Sequence, residues 1–180
     1  MSLARLLPGK IGQEGGSMPR SQKQLKMEPA IDAIQLLRQQ HRESEALFAE
    51  LESTSARNIK KREDLVRQLV ISLEAHTWIE EKILYPAGLE IDAALTFAAV
   101  EEHSLIQFML HKIVETEADD EAFLPRVKVL KEIVAHHAKE EEEEYFALLQ
   151  NKLSPRRLAD IGIEMHDEFA SRTKRLRVVI

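Results

Sequence analysis

The chain has 180 residues, 25 of them basic and 31 acidic, for a formal net charge of −6; that length suits one domain with a real core, and the acidic balance argues against a nucleic-acid partner. It has no cysteine, which excludes disulfides, iron–sulfur clusters and thiolate zinc sites and leaves histidine and carboxylate as the strong metal ligands. No apolar run approaches the roughly 18–20 residues of a membrane span, and Met1–Gly16 lacks a secretory apolar core, so the expectation is a cytoplasmic protein with no membrane partner.

Residues 1–28, with Pro8, Gly9, Gly12, Gly15 and Gly16, read as a flexible tail, with a basic targeting segment around Arg5 and Lys10 as the alternative. From there apolar positions recur at helical spacing and no segment alternates with period two. The first predicted helix runs from Pro29, a residue suited to a first turn, to Ser53, with the stripe Ala30, Ile34, Leu37, His41, Ser44, Phe48 and Leu51. The second runs from Asn58 to Tyr85, with Leu65, Leu69, Ser72, His76, Ile79 and Ile83 in phase, and Pro86 and Gly88 are expected to end it. The third spans Asp92 to Glu117, on Ala99, His103, Ile106, Leu110 and Ile113. The fourth spans Glu121 to Lys152, on Phe123, Val127, Leu130, Val134, His137, Glu141 and Leu148. Ser154 and Pro155 then open a fifth helix as N-cap and first-turn residue.

Four long amphipathic helices joined by short loops make an all-α, up-down-up-down antiparallel bundle over residues 29–152, with an additional C-terminal helix over residues 153–180. Each bundle helix carries one inward histidine, at 41, 76, 103 and 137, separated by 35, 27 and 34 residues. With helices of similar length, such separations return the chain to one height, so the four rings should converge.

Two stretches are near-copies. His76-Thr-Trp-Ile-Glu80-Glu81 and His137-Ala-Lys-Glu-Glu141-Glu142 each carry an aromatic nine residues after the histidine, Tyr85 and Phe146. Residues i and i+4 share a helix face about 6 Å apart, so His76 with Glu80 and His137 with Glu141 can reach one metal ion or a close pair. An isolated histidine on an apolar stripe is usually a core residue. Four of them, with two in-phase carboxylates, favour ligands, because burying such groups unpartnered costs several kcal/mol. The expected metal set is His41, His76, Glu80, His103, His137 and Glu141. His136 lies one residue off the stripe and reads as a solvated or supporting partner of Glu140. Glu45 is a candidate fifth carboxylate beside His41, His111 suits packing or access, and His166 should lie near the surface. Tyr85 and Tyr145 could border the site or fill the core.

The stretches Ile31 to Glu43, His76 to Pro86, Glu101-Glu102-His103 and His136 to Phe146 together resemble the hemerythrin-like, HHE cation-binding domain family over residues 30–150, and the segment Leu153–Gly162 resembles the extra helix of bacterial members. The resemblance implies a non-haem di-iron centre, oxo- or hydroxo-bridged, with the glutamates bridging two irons; manganese or zinc also suits such ligands. It implies a protein that binds or senses O2, NO or peroxide. A peroxide-consuming, catalase- or peroxidase-like enzyme and an iron-responsive interaction module are the alternatives, and any protein partner is left unnamed. The chain departs from the family at Gln40, often aspartate, at Ala147, usually proline, and at Gln107, where oxygen carriers have a histidine. Gln107 is expected to point towards the irons and leave about two coordination positions open.

Overall fold

In the computed structural model residues 32–179 are described, and among them every regular element is helical. The predicted start at Pro29 and the tail over residues 1–28 lie outside the described residues. Helix α1 (Ala33–Glu52) is capped by Asp32, whose carboxylate accepts from the Gln35 N–H. Helix α2 (Ile59–Ile79) does not stop at Pro86 and Gly88. It passes through a π-helical turn, Glu80–Leu84, into α3 (Tyr85–Ile91). Asp92, with extended backbone, breaks the rod and caps α4 (Ala93–Val114) by accepting from the Ala94 and Leu95 N–H groups. Helix α5 (Phe123–Glu140) passes through a second π-turn, Glu141–Tyr145, into α6 (Phe146–Lys152). Helix α7 (Pro155–Val179) starts as predicted, with Ser154 Oγ accepting from the Arg157 N–H.

The two π-turns are corrections to the expected stripes. In each, an N–H bonds five residues back: Tyr85 to the Glu80 carbonyl, and Phe146 to the Glu141 carbonyl. The inserted residue rotates the rest of the rod, so Leu84 and Leu149 are buried while the predicted Ile83 and Leu148 are only half-buried. Pro86 sits just past the register change, in the first turn of α3, where its missing N–H interrupts no regular ladder. Gly88 is needed for space rather than for a stop: a Cβ there would overlap the Tyr145 hydroxyl.

Helix α1 packs on α2 and α5, α4 packs on α2 and α5, and α7 lies against α1 and α2. Two apolar clusters fill the bundle. One gathers Phe48, Leu51, Leu65, Leu69, Ile106, Leu110, Phe123 and Leu130. The other gathers Ile34, Leu37, Ile79, Leu84, Tyr85, Ala99, Phe146, Leu149 and Met165. Along α1 the chain meets the second cluster, then His41, then the first. Along α2 the order is reversed, along α4 it reverses again, and along α5 once more. That alternation is the up-down-up-down topology, and it puts the four histidines in one polar layer between two apolar ones.

Arg62 closes the far end. It is buried, donates through Nε to Thr54 Oγ1 (2.8 Å) and through Nη1 to the Ala118 carbonyl (2.5 Å), and stacks over Phe123 at 4.9 Å. It thereby ties the loop after α1 to the loop after α4. Arg62→Met should lower unfolding free energy by about 2–4 kcal/mol, since hydrogen bonds to a buried charge are each worth roughly 1.5–3 kcal/mol. Denaturant titration should show that loss, with the helical content of the folded state unchanged.

Candidate metal centre

All six predicted residues occupy the polar layer; five are buried and His41 is half-buried, with 8% of its side chain accessible against 1% for His103. Each imidazole aims Nε2 inward. His76 Nε2 lies 3.2 Å from Glu80 Oε2, and His103 Nε2 lies 3.3 Å from the same oxygen. His41 Nε2 is 3.4 Å and His137 Nε2 3.5 Å from Glu141 Oε2. Two overlapping donor groups result: His41, His76, Glu80 and Glu141 form one, and Glu80, His103 and His137 the other, each with donor atoms within 4.8 Å of one another. Glu80 belongs to both.

The outward Nδ1 of every ring is held. His41 donates to Glu142 Oε1 (3.0 Å), His76 to Gln40 Oε1 (2.8 Å), His103 to Glu81 Oε1 (3.0 Å) and His137 to Glu102 Oε2 (2.8 Å). An Nδ1–H so engaged leaves the Nε2 lone pair directed into the centre, the arrangement that orients and strengthens a metal-bound imidazole. Periodicity does not predict these partners, because Glu81, Glu102 and Glu142 lie on the flanks of their helices. The signal that could have found two of them is the glutamate five residues after the histidine in both copies.

Other expectations need correction. Gln107 is exposed and does not face the centre, because the inward step after His103 is three residues, to Ile106. The polar group beside His103 Nε2 is instead the Tyr85 hydroxyl, at 3.3 Å, which also donates to Glu141 Oε1 at 2.9 Å. Glu45 is exposed, and His41 meets Glu142 of the opposite chain segment instead. His111 is a surface group paired with Glu115. His166 is exposed, and His136 pairs with Glu140 at 3.3 Å, both as expected. Tyr145 stands back from the donors, its hydroxyl on Thr96 and its ring edge-on to Tyr85. Phe146 stacks on His41 at 6.0 Å between ring centroids.

The charges in this layer are unresolved by protein groups alone. Burial pushes the Glu80 carboxyl well above its usual range, and the nearby Glu141 charge adds to this. Burial works the same way on Glu141, but His137 and His41 outweigh it and hold that carboxyl below its usual range. Burial disfavours charge on His41 and His137, yet Glu141, with help from Glu80, raises both imidazoles. His76 is driven well below its usual value by burial and by the neighbouring His41. Burial and the two carboxylates push the Tyr85 hydroxyl well up, and burial carries Tyr145 to about 12. Among the described residues both oxygens of Glu80, Glu141 Oε2 and His41 Nε2 have no hydrogen-bond partner, and the ion-pair contacts of Glu80 and Glu141 are all to histidines. Buried polar atoms are rarely left so, and a multivalent cation at this point would satisfy all of them at once.

This chain belongs to the hemerythrin HHE cation binding domain family, whose model matches residues 32–149. A solved hemerythrin HHE cation binding domain-containing protein from Mycobacterium kansasii shares the fold, with a TM-score of 0.73 at 23% identity over 81% of this chain and 89% of that one. The chain is also 29% identical over 120 residues to a DNA nickase of Nostoc sp., covering 66% of this chain. It spans about a third (34%) of that relative's length. Among the described residues no helix is long and apolar enough to cross a membrane.

Proposed function

We propose that the polar layer holds two iron ions, with His41, His76, His103 and His137 as terminal ligands and Glu80 and Glu141 between them, and that the protein binds or senses O2, NO or peroxide there in the cytoplasm. The observation that supports this most is Glu80: fully buried, both oxygens unpartnered, and common to both donor groups. When bound, a pair of irons supplies positions for a small ligand and a source or sink of electrons. The residues do the rest. The four outer acceptors fix the ring tautomers, the two apolar clusters keep bulk water from both sides, and Tyr85 holds a proton 2.9 Å from Glu141. A cleft of about 430 Å³ between α1 and α5, with His41, Phe48, Val134 and Glu142 in its wall, offers a small molecule a route to the His41 edge. Optical spectra in air, after reduction and after NO test the reading: oxo-bridged ferric absorption that bleaches on reduction and shifts with NO supports it, and a featureless spectrum from a metal-replete protein refutes iron.

Occupancy of this site must compete with protons. His41 and His137 keep theirs above the ordinary imidazole value of 6.5, and Glu80 above 4.5. Metal binding displaces them, so affinity should strengthen as pH rises and weaken below the raised imidazole values, by about tenfold per pH unit for each proton lost. Calorimetric titration in buffers of different ionisation enthalpy, at pH 6 and pH 8, should show proton release that is larger at the lower pH.

Consumption of peroxide is the second reading, favoured by the Tyr85 hydroxyl lying within hydrogen-bonding distance of both Glu141 and His103. Tyr85→Phe should then cut peroxide turnover by about 10²- to 10⁴-fold, the usual worth of a positioned proton donor, while iron content stays the same. Equal turnover in the variant would leave Tyr85 a packing residue, and a parent that turns over no peroxide would favour simple binding.

A further inference from the structure

Among the described residues one other group of ligand-type side chains comes together outside the buried layer. His136 and Glu140 lie one turn apart on α5, with Nε2 and Oε1 3.3 Å apart. Glu102 reaches across from α4, placing its Oε1 3.7 Å from the same Nε2. The three donor atoms lie within 4.8 Å of one another. Around an ion with bonds of about 2.0–2.2 Å, neighbouring tetrahedral donors stand roughly 3.4 Å apart, so small side-chain movements suffice. The group is open to water, with 63% of the His136 side chain accessible, which leaves room for a water or an incoming ligand on a fourth position.

Two further features distinguish it from an ordinary solvated pair. Among the described residues the ion-pair contacts of Glu102 and Glu140 are to histidines alone, whereas the neighbouring Glu143 is met by Lys139. Glu102 is also not a free surface carboxylate. Its other oxygen accepts from His137 Nδ1 at 2.8 Å, which fixes the carboxylate on the wall between the buried layer and solvent. Two carboxylates and one imidazole, drawn from two helices, one of them pre-positioned, make the pattern of three protein ligands plus an open place.

We propose that Glu102, His136 and Glu140 form a second, solvent-facing site for a divalent transition metal, with Zn2+ as the best-suited ion. It touches the buried centre through Glu102, which also holds His137, but shares no donor atom with it and does not require that centre to be filled.

Equilibrium dialysis of the full chain against Zn2+ tests this, with His136→Ala and Glu140→Gln as variants. Neither residue belongs to the buried donor set. At saturating Zn2+ the parent should hold one ion per chain more than either variant. Across a titration of free Zn2+ one binding step of the parent should be weakened by more than about tenfold in the variants. Should the buried centre take no metal at all, the difference of one ion between parent and variants would persist, so failure of the two readings can be told apart. Equal zinc content in all three chains would show His136 to be an ion-pair residue only and would overturn the proposal.

Discussion

Glu80→Gln should empty at least one of the two metal positions and at the same time make the metal-free chain more stable. The carboxylate is shared by both donor groups, so replacing it by a neutral amide removes the bridge and one negative charge together. Affinity should fall on the order of 100-fold or more, since even supporting partners of metal ligands are worth about 10–100-fold. The stability gain comes from the cost of the native residue. Glu80 is fully buried with both oxygens unpartnered, and such a group costs about 1–3 kcal/mol. Its folded pKa is raised above the ordinary 4.5, so the folded state binds the proton more tightly than the unfolded state. The penalty is therefore absent at low pH and grows as pH rises past 4.5 towards the folded value. Thermal melts of metal-free parent and variant should coincide near pH 4 and separate by several degrees at pH 7, with the variant higher. A variant that loses both metal and stability would mean that Glu80 supports the fold rather than the centre.

His137→Ala and His136→Ala should differ sharply although the residues are adjacent. His137 is buried, continues the inward stripe of Leu130 and Val134, and aims Nε2 at Glu141. His136 is turned by about 100° and faces solvent. Removing His137 deletes a donor and leaves Glu102 without the ring it holds, so iron affinity of the buried centre should drop on the order of 100-fold. His136→Ala should change it by less than about twofold, in line with surface substitutions generally. Iron retained after dialysis against a mild chelator measures both. Equal loss in the two variants would contradict the phase argument.

The helices and the inward histidines are legible in the sequence because both rest on the 3.6-residue period, which α1, α2, α4 and α5 obey up to the histidine layer. The period fails just beyond it. From Glu80 to Tyr85, and from Glu141 to Phe146, the step is five residues, about 140° out of phase on a regular helix. A π-turn takes up that extra residue and returns both aromatics to the interior. The repeated aromatic nine residues after each histidine is the visible trace of it. Gln107 shows the opposite error: periodicity offers a four-residue step from His103 as readily as a three-residue one, and α4 uses three, to Ile106. The partners Gln40 and Glu102 are out of reach for another reason, and for Glu81 and Glu142 the repeat marks the residue but not the ring it holds. Each takes its role from a ring on a different helix, and that pairing appears only once the helices are packed.

The central claim is that one buried layer holds two ions that share Glu80. Anomalous diffraction from crystals of the metal-loaded protein, collected above and below the iron absorption edge, tests it most directly. Two iron peaks per chain are expected in the buried layer. One should lie on the side of His41 and His76, the other on the side of His103 and His137, with Glu80 and Glu141 between them. A single buried peak, or a layer with none while Glu80 and Glu141 remain buried, would contradict it.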